Sequence, residues 1–276
     1  MIKLRAGLLA VVFIFSGNAN ADKPINYLTF EAQWDTFLQA NVNPIGLINY
    51  AQLKENPEAI NAAYQWISTY SPDSHPALFP NENSRFAYWL NAYNVAVIYG
   101  VVQHYPIRSV LEVRPLSFYS FFNAGGFFVA KKFKFGGKRI SLYKLENKLI
   151  RKRFNDPRLH FALNCASSGC PRLPQTSFKA SELDQQLYNE TREFISNSKH
   201  YRIDQIEEEI QISAIFDWYS EDFYTPETKD SEKNVRLLAY LKTILPENAQ
   251  SLFSKAIERG YTLTFIDYDW SLNDKR

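Results

Sequence analysis

Cysteine and methionine are nearly missing from this chain, which has two Cys and a single Met, the initiator, in 276 residues. Two cysteines cannot build a multi-disulfide framework, so the fold must rest on its core. Long apolar runs are missing too. Beyond the first residues no uninterrupted apolar segment reaches ~18 residues, so no membrane-spanning helix and no stable membrane anchor are expected. There is no internal repeat, no low-complexity linker and little net charge, with 31 Lys+Arg against 29 Asp+Glu.

Residues 1–21 carry the pattern of a secretory signal: Lys3 and Arg5, an apolar stretch from Leu8 to Phe15, and Ala19-Asn20-Ala21 as a small-x-small cleavage site. The mature chain is expected to begin at Asp22, with no cysteine after the apolar stretch to accept a lipid. Loss of Lys3 and Arg5 leaves the two signs equal in number, so bulk charge gives no support to a nucleic-acid partner. The expected product is exported and soluble, periplasmic in a Gram-negative cell. Residues 22–276 are read as a single domain.

Aromatic residues are plentiful, with 21 Phe, 17 Tyr and 5 Trp, enough to form a large core without staples. Apolar residues recur at helical spacing over 30–40 and 50–70, broken at Asn43-Pro44 and Asn56-Pro57, which makes 22–84 a helical N-terminal extension. Residues 84–103 read as one long, mostly apolar helix that should be central and buried. Within it Asn91 and Asn94 stand out, because a buried amide needs partners. The alternating stretch 127–135 meets 138–140 across Gly136-Gly137, a hairpin signal, and Ser141 can cap a helix over 142–154. A further helix is expected over 177–197, then a hairpin of 201–205 and 209–212. Ser213 can cap 214–223, and helices over 235–245 and 249–259 precede Gly260 and a strand at 261–266. The class is α+β, mostly helical, with short antiparallel strands and hairpins around a buried long helix. His75, His104 and His200 fall in polar or turn contexts and are expected at the surface.

Both cysteines and one of the four histidines fall within Asp156-Pro-Arg-Leu-His160-Phe-Ala-Leu-Asn164-Cys165-Ala-Ser-Ser-Gly-Cys170-Pro171. The segment reads as an Asp-Pro turn, a short strand at 159–163 and a small-residue loop with a thiol at each end. If the thiols are free, Cys165 is a candidate nucleophile and His160 its base, since a neighbouring imidazole lowers a thiol's pKa. Strict alternation would point Cys165 away from His160, so the chain must turn at Asn164 or Cys165. Glu146 is the candidate to orient the imidazole, and Asn91, Asn94 and Asn164 are candidate pocket or oxyanion donors. Papain-like and transglutaminase-like enzymes use the same residue types, so a papain-like site arrangement is one expectation. The product would be a cysteine-dependent hydrolase or acyl transferase acting on an amide, ester or thioester of a small-molecule or peptide substrate, with no cofactor. Two other readings stand beside it. Cys165 and Cys170 can form a disulfide in a non-catalytic periplasmic binding or scaffold protein with an aromatic-rich cleft. A zinc set of His160, Cys165, Cys170 and Glu146 is conceivable, but its spacing is no known ligand pattern.

Five blocks in order carry a family resemblance. They are Trp89-Leu-Asn-Ala-Tyr-Asn94, the helix start from Ile140 through Leu145-Glu146, the run from Asp156 to Pro171, Ile215-Phe-Asp-Trp-Tyr-Ser-Glu-Asp-Phe223, and Tyr268-Asp-Trp-Ser-Leu-Asn273. Together, over about residues 85–273, the chain resembles the bacterial branch of domain of unknown function 547. Some eukaryotic members fuse that domain to a glutaredoxin, so the resemblance implies a link to thiol chemistry. Family members often carry His directly after the helix glutamate, where this chain has Asn147, so no role resting on that histidine carries over.

Overall fold

The computed structural model describes residues 26–113 and 125–275, so the expected signal at 1–21 lies outside the described residues. Side-chain caps start the first helices. Asn26 accepts from the Leu28 backbone at the head of α1 (Tyr27–Asn41), and Asn49 accepts from Gln52 at α2 (Tyr50–Glu55). Asn56-Pro57 separates α2 from α3 (Glu58–Thr69). Asn81 and Ser84 form a reciprocal capping box for α4 (Glu82–His104), 17 of whose 23 residues are buried. A helix apolar on every face must be surrounded, and α4 is the axis of the molecule.

Strands β1 (Lys132–Phe135) and β2 (Lys138–Ser141) pair antiparallel. Gly136 and Gly137 hold φ of 53° and 89°, the double positive φ that a two-residue hairpin turn requires. Their amides also bond the Ile67 and Ser68 carbonyls at the end of α3. The first half of the expected 127–135 strand is instead a π-helical turn, Gly125–Ala130. Ser141 caps the next helix, accepting from Lys144. That helix runs as α5 (Leu142–Lys144), a π-helical turn (Leu145–Ile150) and α6 (Arg151–Phe154), and Asn155 ends it at φ 46°.

The strand expected at 159–163 is a 3-10 helix, Pro157–Phe161. Asp156 accepts from the Arg158 amide, and Pro157 pre-sets the first helical φ, so local capping overrides the apolar alternation. After α7 (Leu183–Ser196) comes the hairpin of β3 (Tyr201–Asp204) and β4 (Glu209–Ser213). Ser213 caps α8 (Ala214–Trp218), and α9 (Lys233–Ile244) and α10 (Glu247–Glu258) follow. Gly260 at φ 76° turns the chain into β5 (Thr262–Ile266). Beside the two antiparallel hairpins, β5 joins β4 in parallel, and α8 to α10 form the crossover that parallel pairing requires. The class is α+β and predominantly helical.

Two hydrophobic clusters form. One gathers α1 to α4, the first hairpin and the helix after it, and the other the three-stranded sheet with α8 to α10 and the end of α7. The 3-10 segment feeds both, with Leu159, Ala162 and Leu163 in the first cluster and Phe161 in the second. The C-terminal tail does the same, since Trp270 and Leu272 pack on the first and Tyr268 on the second. The seam between the clusters is where the candidate site lies.

Candidate functional site

A cavity of about 320 Å³ opens at this seam. Its walls come from every nearby element: Tyr93 of α4, Phe128 of the first π-helical turn, Glu146 of the second, His160 of the 3-10 helix, Trp218 of α8 with Tyr219 after it, and Tyr268 and Trp270 of the tail. Cys165 and Cys170 line it as well, and they are joined by a disulfide, with Cα atoms 6.0 Å apart.

The disulfide loop is held from three sides. Asn94 spans its entry, donating to the Ala162 carbonyl at 3.0 Å and accepting from the Asn164 amide at 2.9 Å. Asn164 closes the loop internally, accepting from Ala166 N and donating to the Pro171 carbonyl. The tail then lies along the loop, with Ser168 N bonded to Ser271 O at 2.7 Å and Gly169 N to Asp269 O at 2.9 Å. A Cβ at Gly169 would sit 3.0 Å from the Asp269 nitrogen, so glycine is what permits this approach. The tail thereby sets Tyr268 against the sulfurs, its hydroxyl 3.0 Å from Cys165 Sγ and 3.1 Å from Cys170 Sγ.

Behind the cavity wall, His160 joins a charged knot. Asp222 accepts from Arg151 Nε at 2.6 Å and Nη2 at 2.8 Å, and its Oδ2 lies 2.7 Å from His160 Nε2. Burial pushes the Asp222 carboxyl up, but hydrogen bonds from His160 and Arg151 outweigh it and hold it at about 2. The His160 ring stacks on Tyr219 at 4.0 Å, and the Arg151 guanidinium lies over the same ring at 4.9 Å. Tyr93 donates to Glu146 Oε2 at 3.2 Å, and Tyr219 also bonds Glu146. Burial, then the Glu146 charge, raises both phenols well above their ordinary range. Tyr268 is likewise raised, mainly by burial.

These observations correct the thiol chemistry expected from the sequence. The chain's only two cysteines are bonded to each other, so Cys165 has no thiolate to act as nucleophile, and the hydrolase or transferase reading falls. His160 and Glu146 reach the cavity, but the imidazole's Nε2 faces Asp222 and Glu146 accepts from tyrosines. Among the described residues nothing supports a papain-like arrangement. Asn94 and Asn164 spend their amides on the loop backbone, while Asn91 donates to the Phe178 carbonyl at 2.8 Å and accepts from the Phe178 amide at 3.0 Å, away from the cavity. Among the described residues no group of three or more His, Cys, Asp or Glu side chains is placed to hold a metal. The sequence reading missed Asp222, Arg151, Tyr219, Tyr268 and the two tryptophans as site residues. All of these but Arg151 fall in the aromatic and acidic blocks 215–223 and 268–273.

Comparisons with curated proteins and with solved structures give no match. Residues 78–195, from just before α4 through the disulfide loop to α7, match the family described as protein of unknown function, DUF547.

Proposed function

We propose that this chain is a non-catalytic binding protein of the periplasm, whose aromatic cavity holds a small organic ligand or the side chain of a peptide. The observation that carries this reading is the wall chemistry: seven aromatic rings, Tyr93, Phe128, Tyr143, Trp218, Tyr219, Tyr268 and Trp270, surround two buried polar groups, Glu146 and His160. Mostly apolar concavities with a few placed polar groups are what ligand sites look like. Among the described residues the wall shows no activated nucleophile, because the sulfurs are paired and the three buried phenols are held protonated. A disulfide and four loop-bracing asparagine hydrogen bonds are the supports of a preformed site. The disulfide also supports an oxidising compartment, in keeping with the leader at 1–21.

The cavity mouth adds to this. Val129, Tyr143 and Trp218 are large apolar side chains that remain about half exposed at its rim. Apolar surface left open beside a pocket marks a place where a ligand extends outward. A thermal-shift screen of small molecules tests the reading, run on the wild-type chain and on Trp218→Ala/Trp270→Ala. Stabilising compounds should appear with wild type and lose their effect in the double variant. An empty screen, or equal shifts in both proteins, would refute it.

A further inference from the structure

We propose that the ligand enters this cavity through a compact organic cation, an alkylated ammonium group seated between the aromatic rings and opposite the Glu146 carboxylate. The inference rests on the reading of the cavity as a binding site and names the chemistry of its occupant.

Charge is the first argument. Glu146 is buried, 9 % exposed, and faces the cavity. Two carboxylates lie in the site region, but only one is neutralised. Asp222 is answered by the Arg151 fork and by His160, whereas Glu146 makes no salt bridge among the described residues. Its partners are the hydroxyl of Tyr93 and that of Tyr219. Both phenols are neutral donors, so neither brings a positive charge to the carboxyl group. The cations nearest in sequence, Lys144 and Lys148, are exposed, and the Arg151 guanidinium, which feels the Glu146 charge, is bonded to Asp222 and Asn147 and not to Glu146. A buried carboxylate with no salt bridge among the described residues favours a cationic occupant.

Shape is the second argument. The rings of Trp218, Tyr268 and Trp270 touch one another with centroids 4.7 to 5.8 Å apart, but their planes cross at 24° to 57°. They form an angled wall and not the flat platform that a sugar face stacks on. Electron-rich ring faces around a rounded cation, with a carboxylate beside them, are the elements of an aromatic cage. An alkylated ammonium matches both halves of the lining, apolar methyls against rings and charge against carboxylate.

The test is isothermal titration of the full chain with choline and with 3,3-dimethylbutan-1-ol, a neutral probe of the same shape. Choline should bind at least ten times more tightly than the alcohol. Glu146→Gln should lower choline affinity at least tenfold and leave the alcohol unchanged, and Trp218→Ala should weaken both. Equal affinity for the two probes, or a preference for the alcohol, would overturn the cation inference while leaving the cavity a binding site. Binding of neither probe would also overturn it, and the thermal-shift screen then decides separately whether the cavity binds anything. The comparison of probes on wild type needs no variant, so a failure of Glu146→Gln to fold leaves the test intact.

Discussion

Replacing Asp222 by Asn removes the charge that ties Arg151 to His160 while keeping the side chain's shape. Two routes give the magnitude. The carboxyl's ordinary value of 3.8 falls to about 2 in the folded chain, and this gap amounts to about 2 kcal/mol of stability. Independently, loss of charge-assisted hydrogen bonds from a partly buried pair costs roughly 2 to 3 kcal/mol. The side chains are 21 % and 27 % exposed at Arg151 and Asp222, shielded enough for the figure to hold. The sign with pH follows from the depressed value. Between 3.8 and about 2 the unfolded state binds the proton first, so this stability is complete above 3.8 and fades as pH falls through 2. Urea unfolding at pH 7 should find Asp222→Asn less stable by about 2 kcal/mol, and at pH 3 about half of that difference should be gone, because asparagine does not titrate. Equal stability at pH 7, or a difference that does not shrink at pH 3, would refute the knot as described.

His200 is buried, 6 % exposed, and stacked 4.0 Å from Phe194, where burial lowers its pKa to about 4. The neutral form is native, so wild type should lose about 2 kcal/mol between pH 7.5 and 5 in urea unfolding, and His200→Phe should lose less by that amount; parallel slopes would contradict this. A Cβ at Gly100 of α4 would lie 2.8 Å from Phe133 Cζ and 2.9 Å from Phe127 Cζ, so Gly100→Ala should destabilise by about 1 to 2 kcal/mol despite alanine's better helix propensity, and a stabilised variant would show the packing to be loose. Asn94→Ala strands the Ala162 carbonyl and the Asn164 amide, and thermal melts should report a loss of about 2 to 4 kcal/mol; a neutral result would remove Asn94 as the brace of the loop.

Features governed by local chemistry were legible in the sequence. The caps at Ser141 and Ser213, the Gly136-Gly137 turn, the stop at Gly260 and the buried helix around Trp89 follow from nearest neighbours and periodicity. The 159–163 segment was misread because two elements bury it from opposite sides. Leu159 and Phe161 enter different clusters, so burial imitates strand alternation while Asp156 and Pro157 start a 3-10 turn. The surface expected for His200 failed for a similar reason, since its ring is covered by α7, whose Phe194 lies close in sequence only across a turn. The parallel partner of β4 and the meeting of Asp222 with Arg151, 71 residues apart, depend on the crossover through α8 to α10 and on tertiary packing. No local pattern encodes them. Cys165 and Cys170 were correctly singled out, but spacing alone left open whether they were free thiols or a bond.

The binding role stands or falls most directly with that bond, because a free Cys165 would restore a nucleophile to the cavity wall. The direct measurement is alkylation of the protein with iodoacetamide during cell lysis, before and after denaturing reduction, read by peptide mass spectrometry. The structure predicts no adduct on either cysteine without reductant, a linked peptide carrying Cys165 and Cys170, and both residues alkylated after reduction. Stoichiometric labelling of Cys165 in the unreduced native protein would contradict it.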